Sequence, residues 1–299
     1  MKSSFYNEIS KNQRNSFLLV LFFILFIGFI GFVISYFSSY GYLPLVIAIV
    51  IAVLMSLFNY YNGDKIVLSL SRARPVKKGE YPYYYNITEA LAIGAGIPMP
   101  KLYVIEDPAP NAFATGRDPK HASVAATSGL LEMMNRQELE GVIAHELSHI
   151  KNFDIKVMML ASVLTGILVL MIEFFWRLSF FGFGGGGGNR DRRINPVIFI
   201  IGLVLIIFAP IIAQMMQFAL SRRREFLADA SGAKLTRYPQ GLLSALTKLG
   251  DYKGNMRSAS TATAHLFIVN PFKRRDWFVN LFSSHPPIEL RIKALREMI

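Results

Sequence analysis

The stretch that decides the fold covers residues 141–150 and reads GVIAHELSHI. Just before it, Asn135 and Glu138 have the spacing of a capping box, in which each side chain bonds the other residue's backbone N–H at the start of a helix. Apolar residues then recur at helical spacing and predict a helix with one apolar face. The residues on that face are Leu139, Val142, Ile143, Leu147 and Ile150.

His145 and His149 lie four positions apart on this predicted helix, so both imidazoles project from the same side. Two neutral imidazoles at this spacing can bind one zinc ion, and Glu146 between them can reach a water molecule bound to that ion. The H-E-x-x-H pattern on a helix is typical of zinc metalloproteases. The alternative is a helix that carries two histidines by chance. Only five histidines occur in the chain, and the motif lies on the helix that it requires, so we predict a metal site.

A catalytic zinc usually has three protein ligands, so the site needs one more. The chain has no cysteine, which leaves histidine and carboxylate ligands and excludes disulfides. We expect Glu225 to be the third ligand, with Asp229 one helical turn later orienting a zinc-bound imidazole. The alternative is an ordinary pair of acidic residues on a helix surface. Asp154 is a weaker candidate ligand, because its position also suits the cap of the following helix.

The N-terminal part of the chain predicts two membrane helices. The chain is 53% hydrophobic, which is high for a soluble protein, and no residue between 15 and 63 is charged. This run breaks at residues 38–42, so we predict membrane helices over 16–37 and 43–60. A helix of about 20 residues spans about 30 Å of hydrocarbon.

Two later apolar segments predict a second hydrophobic hairpin. Residues 157–176 are interrupted only by Glu173, and residues 194–221 carry Pro210 as a predicted kink. The hairpin either enters the membrane or forms a buried core pair. The glycine-rich stretch 184–188 makes its connecting loop flexible, and the arginines of this loop leave open whether the hairpin crosses fully.

The net charge of +12 permits a nucleic-acid partner, but the placement of the cations argues against one. Lysines and arginines precede the first predicted span and follow the second and the fourth, while the linker between the first two spans has none. This positive-inside pattern predicts both termini and the metal helix in the cytoplasm, with cations against the headgroups of the lipid bilayer.

The remaining pattern predicts a small sheet and several helices around the metal helix. We expect strands over 101–105 and 121–127, helices over 84–94, 223–234, 240–250 and 288–298, and a mobile loop over 251–263. The predicted fold is a mainly α membrane protein with a small β-sheet, in which a hydrophobic hairpin splits an α+β zincin-like catalytic domain. The predicted divisions are an N-terminal membrane hairpin (1–61), a first catalytic part (62–154), a second hairpin (155–221) and a second catalytic part (222–299).

Four motifs in order along the chain resemble the HtpX-type membrane zinc metalloproteases, relatives of the CAAX prenyl proteases. They are Asn111-Ala112-Phe113-Ala114, His145-Glu146-Leu147-Ser148-His149, Glu225-Phe226-Leu227-Ala228-Asp229 and His285-Pro286-Pro287. The resemblance extends over nearly the whole chain. It implies one zinc ion per chain, bound by His145, His149 and Glu225, with Glu146 as the catalytic carboxylate. It also implies a protease of the plasma or inner membrane that degrades damaged or misassembled membrane proteins.

Two further sites gain support from this resemblance. Asn111, Ala112, Phe113 and Ala114 are expected to form an edge strand that pairs with an extended substrate, or else an ordinary strand of the sheet. His285 is expected to stabilise the oxyanion of the tetrahedral intermediate with support from Arg291, or else to pack at a helix start. His121 and His265 have no ligand partner at metal spacing and are expected to be structural or surface residues.

Two other function classes stay open at this point. One is a non-enzymatic membrane protein with a structural metal site, and the other is a protease restricted to prenylated peptides. The natural substrates, the cleavage motif and the oligomeric state do not follow from the sequence.

Overall fold

In the computed structural model, the described residues are 5–37, 40–77, 79–181, 202, 222–260, 262–272 and 286–298. The N-terminal helices α1 (Phe5–Phe37) and α2 (Leu43–Leu70) form an antiparallel hairpin, with the turn at residues 40–42. By length and composition, Asn12–Phe37 and Leu43–Leu70 could each cross a membrane. Most large apolar side chains of α2 are exposed, as expected of a surface that faces lipid. The predicted pair of apolar helices is therefore present, and α2 continues past residue 60 to Leu70.

A four-stranded mixed sheet follows the hairpin. Its strands are β1 (Ala73–Pro75), β2 (Lys101–Ile105), β3 (Ala112–Gly116) and β4 (Ala122–Thr127). The spatial order is β1-β2-β4-β3, with β2 and β4 parallel and the other two pairs antiparallel. Strand β3 thus lies at an edge of the sheet. The predicted strands over 101–105 and 121–127 are confirmed, whereas β1 lies where the sequence predicted no strand.

Helices make up most of the rest of the described chain. They are α3 (Pro82–Ala95), α4 (Ser128–Met133), α5 (Arg136–Lys151), α6 (Asp154–Phe181), α7 (Arg222–Thr236), α8 (Pro239–Asp251) and α9 (Ile288–Arg296). The helices predicted over 84–94, 223–234, 240–250 and 288–298 correspond to α3, α7, α8 and α9. The mainly helical fold with a small sheet is therefore confirmed.

Helix α5 lies at the centre of the core, packed against α3, α7, α8 and β3. Its predicted capping box is present: Glu138 N donates to Asn135 Oδ1 at 3.0 Å, and Asn135 N donates to Glu138 Oε2 at 2.9 Å. All five apolar residues predicted on one face are buried. Burying each such side chain contributes about 1.5–3 kcal/mol, which fixes the rotation of α5 in the core. That rotation decides where His145 and His149 point.

Two glycines let neighbouring helices approach the backbone of α5 closely. A Cβ atom added at Gly141 would lie 2.5 Å from the backbone nitrogen of Leu242 on α8. A Cβ atom added at Gly232 on α7 would lie 3.0 Å from the backbone nitrogen of His145. Helix α7 is thus held directly against the turn of α5 that carries the first histidine.

Helix α6 begins three residues after α5 ends and carries the apolar segment 157–176. At about 1.5 Å per residue it is long enough to enter a bilayer. The glycine-rich stretch 184–188, Pro210 and almost all of the predicted return segment 194–221 lie outside the described residues. The boundaries of the four predicted parts of the chain remain predictions.

Candidate metal centre

The two histidines of α5 converge on one point. Their Nε2 atoms are 3.2 Å apart, and their rings meet edge to face with centroids 4.8 Å apart. Two nitrogens bound to one tetrahedral zinc, each at about 2.0–2.1 Å, lie about 3.3 Å from each other. The spacing of the two imidazoles therefore fits two ligands of a single metal ion.

Glu225 approaches the same point from the first turn of α7. Its Oε2 lies 3.7 Å from His145 Nε2, and its Oε1 lies 3.7 Å from His149 Nε2. One ligand atom from each of the three residues lies within 4.8 Å of the other two, and all three residues are buried. Among the described residues, these three form the one cluster of this kind. The predicted ligand set is thus brought together in the structure.

Each histidine is oriented by a carboxylate on its other ring nitrogen. His145 Nδ1 lies 2.9 Å from Asp229 Oδ1, and His149 Nδ1 lies 3.0 Å from Asp154 Oδ2. A metal-ligating histidine commonly donates its second N–H to a carboxylate, which fixes the tautomer and turns the free lone pair toward the ion. The donor set therefore fits a metal ion in its orientation as well as in its spacing.

Asp229 lies where the sequence predicted it, behind an imidazole. Asp154, the first residue of α6, does not lie with the three predicted ligands. Its carboxylate instead contacts Nδ1 of His149, on the side of the ring away from them. It thus has the role for His149 that Asp229 has for His145. The sequence indicated only a weak ligand or a helix cap at this position.

Arg291 on α9 is 1% exposed and contacts the carboxylates that surround the two histidines. Its Nε and Nη2 donate to the two carboxylate oxygens of Asp229 at 2.8 and 2.7 Å, and its Nη1 donates to Ile268 O at 2.7 Å. Its Nη1 also lies 3.5 Å from Glu225 Oε2. Arg291 therefore compensates two buried carboxylates, whereas we had expected it to support His285. His285 itself lies outside the described residues.

Burial and charge separate the acidities of the site. Burial lowers the pKa of His145 to about 4 against the opposing bond to Asp229. Burial also disfavours the charged form of His149, but Asp154 and then Glu225 outweigh it and raise the pKa to about 9. The pKa of Asp229 falls to about 2 despite its burial, because Arg291 lies beside it.

Glu146 lies between the two histidines in sequence and faces β3. Burial raises its pKa to about 7, at which a carboxyl group can both accept and release a proton near neutral pH. The backbone of Ala114 on β3 hydrogen-bonds this carboxyl group and favours its charged form. Glu146 therefore lies between the metal-binding face of α5 and the strand predicted to bind substrate.

The predicted substrate strand is partly covered. The Asn111 side chain donates to Val269 O at 2.9 Å, and Ala112 O accepts from Ile268 N at 2.9 Å. Residues 268–269 therefore pair with the first half of this edge. Phe113 is buried and packs edge to face on Phe267 at 5.0 Å, while Ala114 lies at the half of the edge next to Glu146.

The other two histidines of the described residues lie away from the cluster. His121 Nδ1 pairs with Asp118 at 2.8 Å near the surface. His265 is buried, and its Nε2 lies 3.0 Å from Ser162 Oγ on α6. Among the described residues, neither belongs to a group of three or more potential metal ligands.

Comparison with known proteins shows which family the chain resembles in sequence. Residues 80–299 match the model described as peptidase family M48. The chain is 43% identical over 299 residues to the Protease HtpX homolog of Caldanaerobacter subterraneus subsp. tengcongensis, with 99% of each chain covered. It is 40% identical over 298 residues to the protein of that name from Lactobacillus helveticus, with 98% of this chain and 99% of the relative covered.

A solved structure also shows similarity. The crystal structure of S. mikatae Ste24p matches with a TM-score of 0.46 and 20% identity, covering 92% of this chain and 61% of that one. The family match spans residues 80–299, and the curated relatives match along nearly the full length. Together with the buried cluster of two histidines and a glutamate, these matches show that the chain belongs to peptidase family M48 and is a metalloprotease.

Proposed function

We propose that this metalloprotease is a membrane-embedded, zinc-dependent endopeptidase that cleaves damaged or misfolded membrane proteins on the cytoplasmic side, in protein quality control. The observation that carries the proposal is the placement of the metal cluster. His149 lies in the last turn of α5, and the apolar helix α6 begins three residues after α5 ends. A substrate segment that leaves the bilayer beside α6 would pass close to this cluster.

The proposed metal is one zinc ion per chain, held by His145, His149 and Glu225. Two imidazoles and one carboxylate are a ligand set of catalytic zinc sites, which leave a fourth position open. Zinc in this position would supply Lewis-acid activation of water and of the scissile carbonyl. A structural zinc site would need a fourth protein ligand, and the described residues supply three. This favours catalysis over a purely structural role.

The protein groups around the cluster have distinct proposed roles. The Glu146 carboxylate takes a proton from the attacking water and later delivers a proton to the leaving amine. Asp229 and Asp154 keep the Nδ1 proton on their imidazoles, so that Nε2 stays available for the metal. Arg291 holds Asp229 ionised. No covalent enzyme intermediate is needed, because water is the nucleophile.

Two more groups are proposed to contact substrate. His285, outside the described residues, is our candidate for stabilising the oxyanion of the tetrahedral intermediate. Asn111, Ala112, Phe113 and Ala114 are proposed to form the substrate strand. Because residues 268–269 cover its first half, we expect the substrate backbone to pair beside Ala114.

The proposed location is the plasma or inner membrane, with several spans and the catalytic part in the cytoplasm. The start of α1 contacts the junction of α5 and α6, so the metal cluster lies at that end of the membrane hairpin. Arg14 near the start of α1 and Lys65 near the end of α2 lie toward the same end of this antiparallel hairpin, which supports the proposed orientation. The partners would be membrane-protein substrates and the lipid bilayer.

A test of this proposal uses the full chain in detergent with added zinc. Glu146→Gln should keep the zinc content of the wild type and lose peptidase activity on an unfolded membrane protein, because the ligands remain and the proton acceptor is gone. His149→Ala is the matched variant, which should lose both metal and activity. Wild-type turnover in Glu146→Gln at normal zinc content would show that Glu146 is not the base. A prenylated peptide assayed in parallel separates the narrower alternative, since cleavage of that peptide alone would favour it.

A further inference from the structure

The first membrane helix reaches the metal cluster through one buried polar side chain. Asn12, near the start of α1, is 2% exposed, and α1 packs against α2 and α6. Its Nδ2 donates to Asp154 Oδ1 at 2.6 Å and to Asn152 O at 3.0 Å. Its Oδ1 accepts from Arg224 Nη1 at 2.9 Å. Both donors and the acceptor of the amide are therefore used.

These contacts lead to the metal cluster by two routes. Asp154 uses its other oxygen, Oδ2, to hold His149 Nδ1 at 3.0 Å. Arg224, which is also buried and lies 3.4 Å from Asp154 Oδ1, directly precedes Glu225 in α7. Asn12 thus binds a group behind one proposed ligand and the residue next to another. These ligands come from α5 and α7, which lie far apart in the chain.

Asparagine is matched to this position by its hydrogen-bonding groups. An amide offers two donors to the carboxylate and the carbonyl, and one acceptor to the guanidinium. An aspartate could not donate to Asp154 and would place a second carboxylate beside it. A leucine would leave Asp154 Oδ1 with only the longer Arg224 contact and would remove a partner of Asn152 O. A buried polar group that loses its partner is costly, so the surrounding groups are expected to move.

We propose that Asn12 of the first membrane helix is a positioning residue for the metal site, acting on His149 through Asp154 and on Glu225 through Arg224. Helix α1 is then a structural part of the site as well as a membrane anchor. The inference rests on the proposed ligand set of His145, His149 and Glu225. It assigns Asn12 no contact with metal or substrate.

The test measures zinc affinity of the full chain in detergent, by competition with a chromogenic chelator at fixed pH. Asn12→Leu and Asn12→Asp should each weaken zinc binding by about 10–100-fold, the range found when a group behind a metal ligand is removed. Ser16→Ala is the control for a polar change on the same helix, since Ser16 Oγ donates to the backbone oxygen of Asn12 within α1. It should bind zinc as the wild type does.

A second control separates positioning from packing of α1. Leu19 is buried in the apolar contact of α1 with α2 and α6 and takes no part in the polar contacts. Leu19→Ala should lower the thermal midpoint of unfolding without changing zinc affinity when both are measured well below that midpoint. An equal loss of affinity in Leu19→Ala and Asn12→Leu would overturn the proposal, because loose packing of α1 would then be sufficient.

A double-mutant cycle tests the route through Asp154. If Asn12 acts through this carboxylate, Asn12→Leu should have a much smaller effect on zinc affinity in an Asp154→Asn background than in the wild type. Additive losses would refute this route. Wild-type zinc affinity in both Asn12 variants would refute the inference as a whole. Wild-type affinity in His149→Ala would instead refute the proposed ligand set, so the two failures are distinguishable.

Discussion

Gly232 allows α7 to approach the backbone of the metal-binding helix closely, and Gly232→Ala tests whether the spacing of these helices sets metal affinity. The added Cβ would lie 3.0 Å from His145 N and 3.2 Å from Ala144 C. Ordinary contact between such atoms is about 3.5–4.0 Å, so the helices must separate by about 0.5 Å. The neighbours are backbone atoms, which cannot turn aside as a flexible side chain could.

This separation should weaken metal binding more than it weakens the fold. Metal–ligand distances tolerate about ±0.2 Å, and Glu225 lies on the helix that must move. Overpacking typically costs 1–3 kcal/mol, but replacing glycine by alanine inside a helix returns about 1 kcal/mol. We therefore expect a folded protein that is destabilised by about 0–2 kcal/mol, with zinc affinity reduced about tenfold or more.

The measurement is zinc affinity of the full chain by chelator competition, together with the thermal midpoint of unfolding. Gly94→Ala is the matched control, because Gly94 on α3 also faces α7, but its added Cβ would meet only Leu235 Cδ1 at 3.5 Å. That variant should bind zinc normally. Wild-type affinity and wild-type stability in Gly232→Ala would show that the contact of α7 with α5 relaxes without moving Glu225, and the reasoning would be wrong.

Three further predictions concern the ligands, the start of α5 and the topology. Glu225→Ala should remove most zinc at limiting metal, whereas Asp229→Ala should weaken binding by only about 10–100-fold; equal zinc content in both variants would contradict this ranking. Burial alone would raise the pKa of Glu138, but hydrogen bonds from Lys248 and Ser244 outweigh burial and lower the pKa below 4.5. The charged form of Glu138 therefore stabilises the fold above that pH, and this stabilisation is lost on acidification. Glu138→Gln should therefore reduce the stability near pH 7 by about 1 kcal/mol, seen as a lower thermal midpoint, and the gap to the wild type should close as the pH falls through the lowered pKa of Glu138; a constant gap would refute this. In a chain that has no native cysteine, Tyr40→Cys and Lys101→Cys should react with an impermeant reagent from opposite sides of the membrane, and labelling from one side would contradict the topology.

Local sequence signals were enough to predict the central helix and the three clustered residues. The rotation of α5 follows from its apolar face, and the histidine spacing follows from the helical repeat, so neither depends on distant contacts. Glu225 was found because a three-ligand site needs a carboxylate and a motif of the resembled family supplies one. For these residues, chemistry and periodicity gave the same answer.

The parts that were missed depend on contacts between distant segments. Asp154 reaches His149 because Phe153 adopts a positive φ of 59°, which turns the chain between α5 and α6, and no pattern in the sequence indicates that turn. Asn12 lies in the chain 142 positions from Asp154 and reads as one polar residue before a membrane span. Strand β1 has three residues, too few for an alternating pattern.

The end of α2 was placed too early for a different reason. We ended the predicted membrane helix at residue 60, shortly before the uncharged run stops at Gly63. Charge limits how much of a helix lies in hydrocarbon, but it does not break the helix, which continues beyond the apolar part. Gly63 does not end the helix either. Its role is in packing: a Cβ at this position would lie 2.9 Å from Met159 Sδ, so glycine allows α2 to pack closely on α6.

The division of the metal cluster between α5 and α7 has a consequence for the order of synthesis. The ribosome makes α5 and α6 first, and Glu225 follows only after the long apolar segment between α6 and α7. Chains emerge at about 5–20 residues per second and fold in that order. A nascent chain therefore carries both histidines without the carboxylate from α7 and cannot assemble the three-residue cluster. With Glu225 as the proposed third ligand, the order of the elements delays hydrolytic competence until the segment before α7 has been translated, so an unfinished chain is protected from its own activity.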